Sequence, residues 1–189
     1  MAVWRRDGFA EDVWTRVADG GALPAAGAVI VSAGRWRAER EALGARAEPV
    51  GVAISPGKEA YAELREAADR PLVALDFPKF ADGRAFSLAQ LLRQRFGFKG
   101  ELRAVGDVLL DELALMLRCG FDSFEIVNEP TLRALRRGWR PPVSLYYQPS
   151  LAAREVPAGA RPWLRRPEKR DAPAINRAAE RGILEKEEA

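Results

Sequence analysis

The stretch "PLVALDFPKFADGRAFSLAQLLR", residues 71–93, gives the clearest indication of the fold class. It begins with the apolar run "PLVALDF", which is typical of a strand buried on both faces. It ends in a segment with leucines at helical spacing, behind a Ser-x-x-Gln capping box that starts at Ser87. Between the two, Asp82-Gly83 is a standard turn pair. The stretch therefore predicts a strand, a loop and an amphipathic helix in succession.

The same alternation extends in both directions from this unit. Short apolar runs are separated by amphipathic helical stretches, a pattern that builds a mostly parallel sheet flanked by helices. We predict an α/β fold with a sheet of five to six strands. An open doubly wound sheet is our first choice, and a partial or distorted β/α barrel is the alternative. The predicted strands are residues 28–32, 50–54, 71–77, 101–106, 122–127 and 143–147.

The periodic pattern divides the chain into three parts. Residues 28–147 form the predicted α/β domain, and residues 1–27 are an N-terminal segment without a predicted strand. Residues 148–189 are rich in proline at first and dense in mixed charge throughout, which indicates an extended or disordered tail. We expect this tail to pack little and to be cleaved readily by proteases.

Composition excludes several classes of function. The 30 basic residues nearly balance the 27 acidic ones, which leaves a net charge of +3 and predicts no general affinity for nucleic acid. The chain has no histidine, so it cannot form a Ser-His-Asp or Cys-His pair. Its single cysteine excludes an internal disulfide and an iron–sulfur cluster held by four thiolates. No G-x-G-x-x-G follows any predicted strand, and we expect no bound cofactor.

The expected location follows from what the chain lacks. The start, "MAVWRRDGFAEDVW", has no apolar core of the kind found in signal peptides. No apolar run reaches the length needed to span a membrane. We therefore expect a cytoplasmic protein that has no membrane partner.

Cations recur after the predicted strands, where parallel sheets bind their ligands. Arg35 lies in "SAGR", Lys58 lies in "SPGK", and Lys79 and Arg84 lie in the loop of the opening stretch. Each lies close to a helix N-terminus, where free N–H groups attract anions. Singly, each is more often a turn with a solvated charge, but their repetition makes an anion-binding site a candidate. Arg84 is the strongest of the four because a guanidinium grips oxyanions with two donors.

Supporting residues lie at the same strand ends. Asp76, Asp82 and Asp107 could hold Mg²⁺, but helix caps and turns explain them better, so we expect no metal. We expect Arg84 to pair with Asp76, with Asp107 or with an external anion. Cys119 ends an apolar helical face and is interpreted as a buried, inert thiol, with a redox role as the minor alternative.

Three segments, "FADGRAFS", "GELRAVGDVL" and "RCGFD", carry a family resemblance. They resemble the bacterial family called domain of unknown function 934, strongly over residues 72–129 and loosely over the preceding strands. The resemblance implies an oxidoreductase or an accessory protein of sulfite reduction, with sulfite reductase or its electron donor as partner.

Two hypotheses follow. In the first, the chain is an accessory protein that assists assimilatory sulfite reduction without chemistry of its own. In the second, it is a small enzyme that binds an anionic substrate or a nucleotide cofactor at the strand ends. A concave cluster of the four cations with Asp107 would favour the enzyme, and a flat surface would favour the accessory protein.

Overall fold

The structure is a computed structural model that describes residues 2–79 and 82–140 in full. It also describes the backbone of residues 155–158 and 161–167. Within residues 2–140 of this described part there are eight strands and six helices, connected by short loops.

The elements alternate along most of the chain after three strands near the start. The strands are β1 (Ala2–Arg5), β2 (Gly8–Ala10), β3 (Trp14–Arg16), β4 (Ala28–Ser32), β5 (Val50–Ile54), β6 (Leu72–Phe77), β7 (Glu101–Gly106) and β8 (Ser123–Ile126). The helices are α1 (Ala33–Ala38), α2 (Arg40–Gly44), α3 (Ala60–Ala67), α4 (Arg84–Gln94), α5 (Leu113–Arg118) and α6 (Glu129–Arg136).

The eight strands form one curled, mixed sheet in the order β2-β1-β8-β7-β6-β5-β4-β3. Strands β3 to β8 are parallel and follow one another in sequence order. Strand β1 pairs antiparallel with both β8 and β2. The parallel pairing of β6 with β7 places Leu72 opposite Glu101 and confirms the predicted βαβ unit.

The two edge strands are joined by a very short connection, and this explains the curl. Only three residues separate the end of β2 at Ala10 from the start of β3 at Trp14. An extended chain advances about 3.3–3.6 Å per residue, so the two edges approach within about 14 Å. In a flat sheet of eight strands with a spacing of about 4.8 Å they would be about 34 Å apart. The sheet is therefore rolled into an incomplete barrel.

The described helices cover one face of this sheet. Their buried apolar residues share one core cluster with Val31, Val52, Val73 and Leu75 of the strands. A second, smaller cluster of Ile30, Leu72, Ala74 and Val105 lies on the other face, together with Trp14. All four of its members are at most 2 % exposed. Rolling the sheet accounts for this burial, because the inner face of an eight-stranded barrel is filled by its own side chains.

The structure confirms five of the predicted strands and corrects the sheet they build. The sheet has eight strands, because it includes three strands within residues 2–16. These three were not predicted from the sequence. A doubly wound sheet requires a reversal in strand order, and here β3 to β8 run without one. The first choice was therefore wrong, and the partial β/α barrel is the closer description. The sixth predicted strand, residues 143–147, lies outside the described residues.

Helix α4 begins three residues before its predicted start. Arg84 is its first residue, so Ser87 lies inside the first turns and does not cap the helix. Phe86, in the first turn, packs edge-on against Phe77 with ring centroids 5.1 Å apart. This contact between the helix and the end of β6 stabilises the earlier start.

Two further strands lie within the predicted tail. Strands β9 (Glu155–Ala158) and β10 (Arg161–Pro167) pair antiparallel and form a separate two-stranded sheet. The extended or disordered character of the whole tail, and its sensitivity to proteases, remain predictions. Among the described helices, none has the length and apolar character required to cross a membrane.

Candidate functional site

The candidate site is the end of the barrel at which the parallel strands β4 to β8 terminate. In β/α barrels and related sheets, ligands bind at the carboxyl ends of the strands, and the loops that follow supply the side chains. All of the predicted site residues except Cys119 lie at or just beyond these strand ends.

Arg84 binds Asp82 and neither of the two carboxylates expected from the sequence. Its Nε donates to Asp82 Oδ1 at 2.8 Å, and its Nη2 donates to Asp82 Oδ2 at 2.6 Å. The backbone N–H of Arg84 also donates to Asp82 Oδ1, at 3.3 Å. These bonds to Arg84 lower the pKa of Asp82 from 3.8 to about 2. Asp82 is only two residues from Arg84, so little conformational entropy is lost when the two side chains meet. This favours the pair over more distant partners.

Arg35 is a structural residue in this arrangement. Its side chain is only 8 % exposed. Nε donates to Glu39 Oε1 at 3.0 Å, and Nη1 donates to the carbonyl oxygen of Ala18 at 2.9 Å. Ser32 caps helix α1 by accepting from the Arg35 backbone N–H, and its hydroxyl donates to Asp19 Oδ1 at 2.6 Å. The "SAGR" motif thus ties α1 to the chain that follows β3.

Lys58 and Lys79 are exposed residues of the loops that follow β5 and β6. The backbone oxygen of Lys79 accepts a hydrogen bond from the Asp82 N–H at 2.9 Å, which closes the turn before α4. Both ammonium groups are therefore accessible from solvent. They are the two predicted cations best able to meet a ligand.

Asp76 connects neighbouring strand ends. Its Oδ2 accepts from the Ser55 hydroxyl at 3.1 Å, which joins β6 to the loop after β5. Gly106, at the end of β7, packs tightly against the same region with a φ of +91°. A Cβ at this glycine would lie 2.5 Å from the Phe77 carbonyl oxygen and 2.7 Å from Asp76 Oδ1. The carboxyl ends of β6 and β7 therefore fit closely together.

Asp107 continues this contact and begins an acidic segment. Its backbone N–H donates to the Phe77 carbonyl oxygen at 2.8 Å. Asp111 and Glu112 follow in the loop before α5. Burial, with Asp111 and then Asp107 as nearby negative charges, raises the pKa of Glu112. Its Oε2 is buried without a hydrogen-bond partner among the described residues.

Carboxylates outnumber cations over the whole candidate site. The strand ends and following segments, residues 32–35, 55–59, 76–84, 107–112 and 128–129, contain four cations and seven carboxylates. The cations are Arg35, Lys58, Lys79 and Arg84, and the carboxylates are Glu59, Asp76, Asp82, Asp107, Asp111, Glu112 and Glu129. Two of the four cations are already paired within the chain. The net field at this end therefore opposes a small anion.

Cys119 lies away from the strand ends, at the C-terminus of α5. It is 2 % exposed, and Gln90 Nε2 lies 3.4 Å from its sulfur. Burial raises the pKa of the thiol and outweighs the opposing effects of Gln90 and Arg118. These features agree with the interpretation of a buried, inert thiol.

A buried ionic cluster inside the barrel was not predicted from the sequence. Arg103 on β7 is 1 % exposed, and its Nη1 donates to both carboxylate oxygens of Asp12 at 2.9 and 3.0 Å. Its Nη2 and Nε donate to Glu101 Oε1 at 2.8 and 3.1 Å. Ser123 and Arg5 also donate to Glu101. A charged residue in the apolar run "ELRAVG" was the available signal, since a buried charge requires partners.

A groove of about 300 Å³ lies at the opposite end of the strands, between the starts of β5 and β6. Arg46 and Arg70 line it together with the carboxylates Glu48 and Asp69. Arg70 is paired with Asp69, and Arg46 donates to the carbonyl oxygens of Pro24 and Gly27. The groove thus has no excess of either charge.

No group of three or more His, Cys, Asp or Glu residues that could hold a metal ion occurs in the described part of the chain. The fold and the charges described above define an α/β protein with a partly rolled sheet and a predominantly acidic surface at the carboxyl ends of its parallel strands. The chain belongs to the family of bacterial proteins of unknown function designated DUF934, whose sequence profile matches residues 51–157. No curated protein and no solved structure matches the chain.

Proposed function

We propose that this protein is an accessory factor of assimilatory sulfite reduction. It binds sulfite reductase or the electron donor of that enzyme and carries out no chemistry alone. The pathway comes from the family resemblance. The accessory role is supported by a composition without histidine and by a single thiol that is buried and has a raised pKa.

The balance of charge at the strand ends is the observation that carries the accessory role. Sulfite and nucleotide phosphates are anions, and a site for them concentrates unpaired cations. Here Arg35 and Arg84 are bound to carboxylates of the same chain, and seven carboxylates face four cations. Such an end is poorly suited to a small anionic substrate.

The second candidate function is an enzyme that binds an anionic substrate or a nucleotide cofactor at these strand ends. The exposed side chains of Lys58 and Lys79 favour it, because both lie in loops that lead to helix N-termini. In that case Arg84 would leave Asp82 when the ligand binds.

The purified chain alone, and its reconstitution with sulfite reductase, test the proposal. Multi-electron reduction of sulfite depends on metal or flavin centres, which side chains cannot replace. The purified chain should therefore be colourless and inactive with sulfite and NADPH. Added to purified sulfite reductase and its electron donor, it should raise activity or yield, and the effect should weaken as salt rises. A bound flavin, or consumption of NADPH with sulfite by the chain alone, would contradict the accessory role and support the enzyme hypothesis.

Growth on sulfite provides a test in the bacterial host. If the chain is the enzyme of the second candidate, with Arg84 binding the anion, Arg84→Ala should abolish growth that depends on sulfite reduction. If the chain is the accessory factor, growth of this variant should persist. In both cases the purified variant should unfold at nearly the same temperature as the unmodified protein. Arg65→Ala, another exposed arginine, is the matched control and should grow normally. A large loss of thermal stability in Arg84→Ala would show that the pair with Asp82 is structural.

A further inference from the structure

Positive charge is concentrated in the last turns of helices α4, α5 and α6 and in the segments that follow them. Residues 93–101, 118–122 and 133–140 contain eight Lys and Arg residues and two carboxylates, an excess of six positive charges. The entire chain has an excess of only three. The rest of the sequence therefore has a net charge of −3.

The fold brings these segments together. Helices α4 and α5 lead into β7 and β8, which are neighbours in the sheet, and α6 follows β8 directly. Arg93 fixes the first two ends to each other, because its Nε donates to the Gly120 carbonyl oxygen at 3.0 Å and its Nη2 pairs with Asp122. The two carboxylates, Glu101 and Asp122, are already held by Arg103 and Arg93.

Five exposed cations remain on this surface, which we call the basic patch. They are Arg95, Lys99, Arg133, Arg136 and Arg137. Cations in a last helical turn complement the helix dipole, and that effect explains some of them. It does not explain Lys99, which lies in the loop after α4. Arg133 and Arg136 occupy the last turn of α6, and Arg137 follows its last residue.

Two large side chains with apolar surface are exposed on helices α5 and α3. Leu115 on α5 is 46 % exposed. Tyr61 is 45 % exposed, and the guanidinium of Arg95 lies 5.7 Å from the centre of its ring. Protein interfaces combine arginine and tyrosine with apolar contacts, whereas binding to a phosphate backbone needs cations alone.

We propose that the basic patch is a docking surface for an acidic protein surface. This inference rests on the proposed function and specifies where the partner binds. The partner presents carboxylates to Arg95, to Lys99 and to the three arginines at the end of α6, and it presents an apolar side chain to Leu115. The acidic strand ends of the barrel repel the same partner, so the polarity of charge also orients the complex.

The first measurement uses purified sulfite reductase from the same bacterium and the full chain. Arg133→Glu/Arg136→Glu/Arg137→Glu should weaken binding about tenfold or more, since like charges across an interface oppose association. Arg95→Glu/Lys99→Glu should do the same, and it avoids placing acidic residues at the end of α6. The matched control is Arg16→Glu/Arg40→Glu, which reverses two exposed cations outside the basic patch and should bind within about twofold of the unmodified chain. Equal binding by all variants would show that the basic patch is not the docking surface, and it would leave the proposed function intact.

The second measurement is independent of the proposed function. A polyglutamate peptide is titrated into the isotope-labelled chain at low salt and followed by NMR. Amide shifts should concentrate at residues 95–99, 115–118 and 133–137 and should be lost in the patch variants. Shifts at Lys58 and Lys79, or shifts spread evenly over the surface, would overturn the inference. If the reductase does not bind while the peptide maps to the patch, the proposed partner is wrong and the docking surface stands.

Discussion

The guanidinium of Arg103 donates to both carboxylate oxygens of Asp12, which lies 91 residues earlier in the chain. Asp12 belongs to the three-residue connection between the two edge strands, and Arg103 lies in the middle of β7. The ion pair therefore crosses the inside of the barrel. It holds the N-terminal strands against the parallel part of the sheet.

Breaking this ion pair should lower the free energy of unfolding. Arg103→Met removes the cation and leaves Asp12 and Glu101 without their shared partner. Removal of one member of a buried ion pair costs about 3–5 kcal/mol when the remaining charge is fully buried. We expect the lower end of this range, because the side chains of Asp12 and Glu101 are 24 % and 17 % exposed. Urea denaturation followed by circular dichroism measures the free energy of unfolding.

Arg37→Met is the control for this change. Arg37 also pairs with a carboxylate, Glu66, but its side chain is 45 % exposed. Exposed pairs contribute little to stability, so this variant should unfold at nearly the same urea concentration as the unmodified chain. Similar losses in both variants would contradict a special role for the interior cluster.

The carboxyl group of Asp82 should titrate with a pKa of about 2. The physical cause is the hydrogen bonding to Arg84, so Arg84→Ala should return the pKa toward 3.8. A carboxyl whose pKa is lowered by folding stabilises the fold above its unfolded pKa, and this contribution is lost as pH falls through about 2. NMR titration of the side-chain carboxyl gives the value directly. An unchanged pKa in Arg84→Ala would show that another group binds Asp82.

Glu112 should make the protein less stable as pH rises. Its pKa is raised in the folded state, mainly by burial, so the folded protein holds the proton more tightly than the unfolded chain. The stabilising contribution is present below the unfolded pKa and is lost as pH rises through the folded pKa. Glu112→Gln cannot ionise and should remove this pH-dependent part. Thermal melts at pH 4 and pH 7 should show a smaller decrease for the variant, and equal decreases would contradict the raised pKa.

Cys119 should react slowly with thiol reagents in the folded protein. The thiol is buried and its pKa is raised, so little thiolate is available at neutral pH. Leu115→Cys in a Cys119→Ala background places a thiol on the same helix at a position that is 46 % exposed. Measured with a chromogenic disulfide, this control should react at least about tenfold faster. Rapid reaction of Cys119 in the folded state would contradict an inert thiol and support a redox role.

The local alternation of strands and helices was determined by the sequence alone. Apolar runs such as "AVIVS" and "PLVALDF" are too continuous for strands with a solvated face, and the structure forms strands at both. Asn128 caps helix α6, and a cap of this kind is local because it depends only on neighbouring residues. Such features need no knowledge of distant contacts.

The rolled sheet was decided by tertiary structure. The strands Ala2–Arg5, Gly8–Ala10 and Trp14–Arg16 are short and carry polar residues, so nothing local marks them as strands. They become strands because β1 pairs with the edge of β8 and because Asp12, next to β2 and β3, forms an ion pair with Arg103. The pairing of Arg84 with Asp82 depends in the same way on where α4 begins, which the contact of Phe86 with Phe77 fixes. Sequence periodicity reports which faces are buried, whereas strand order and ionic partners follow from the closure of the sheet.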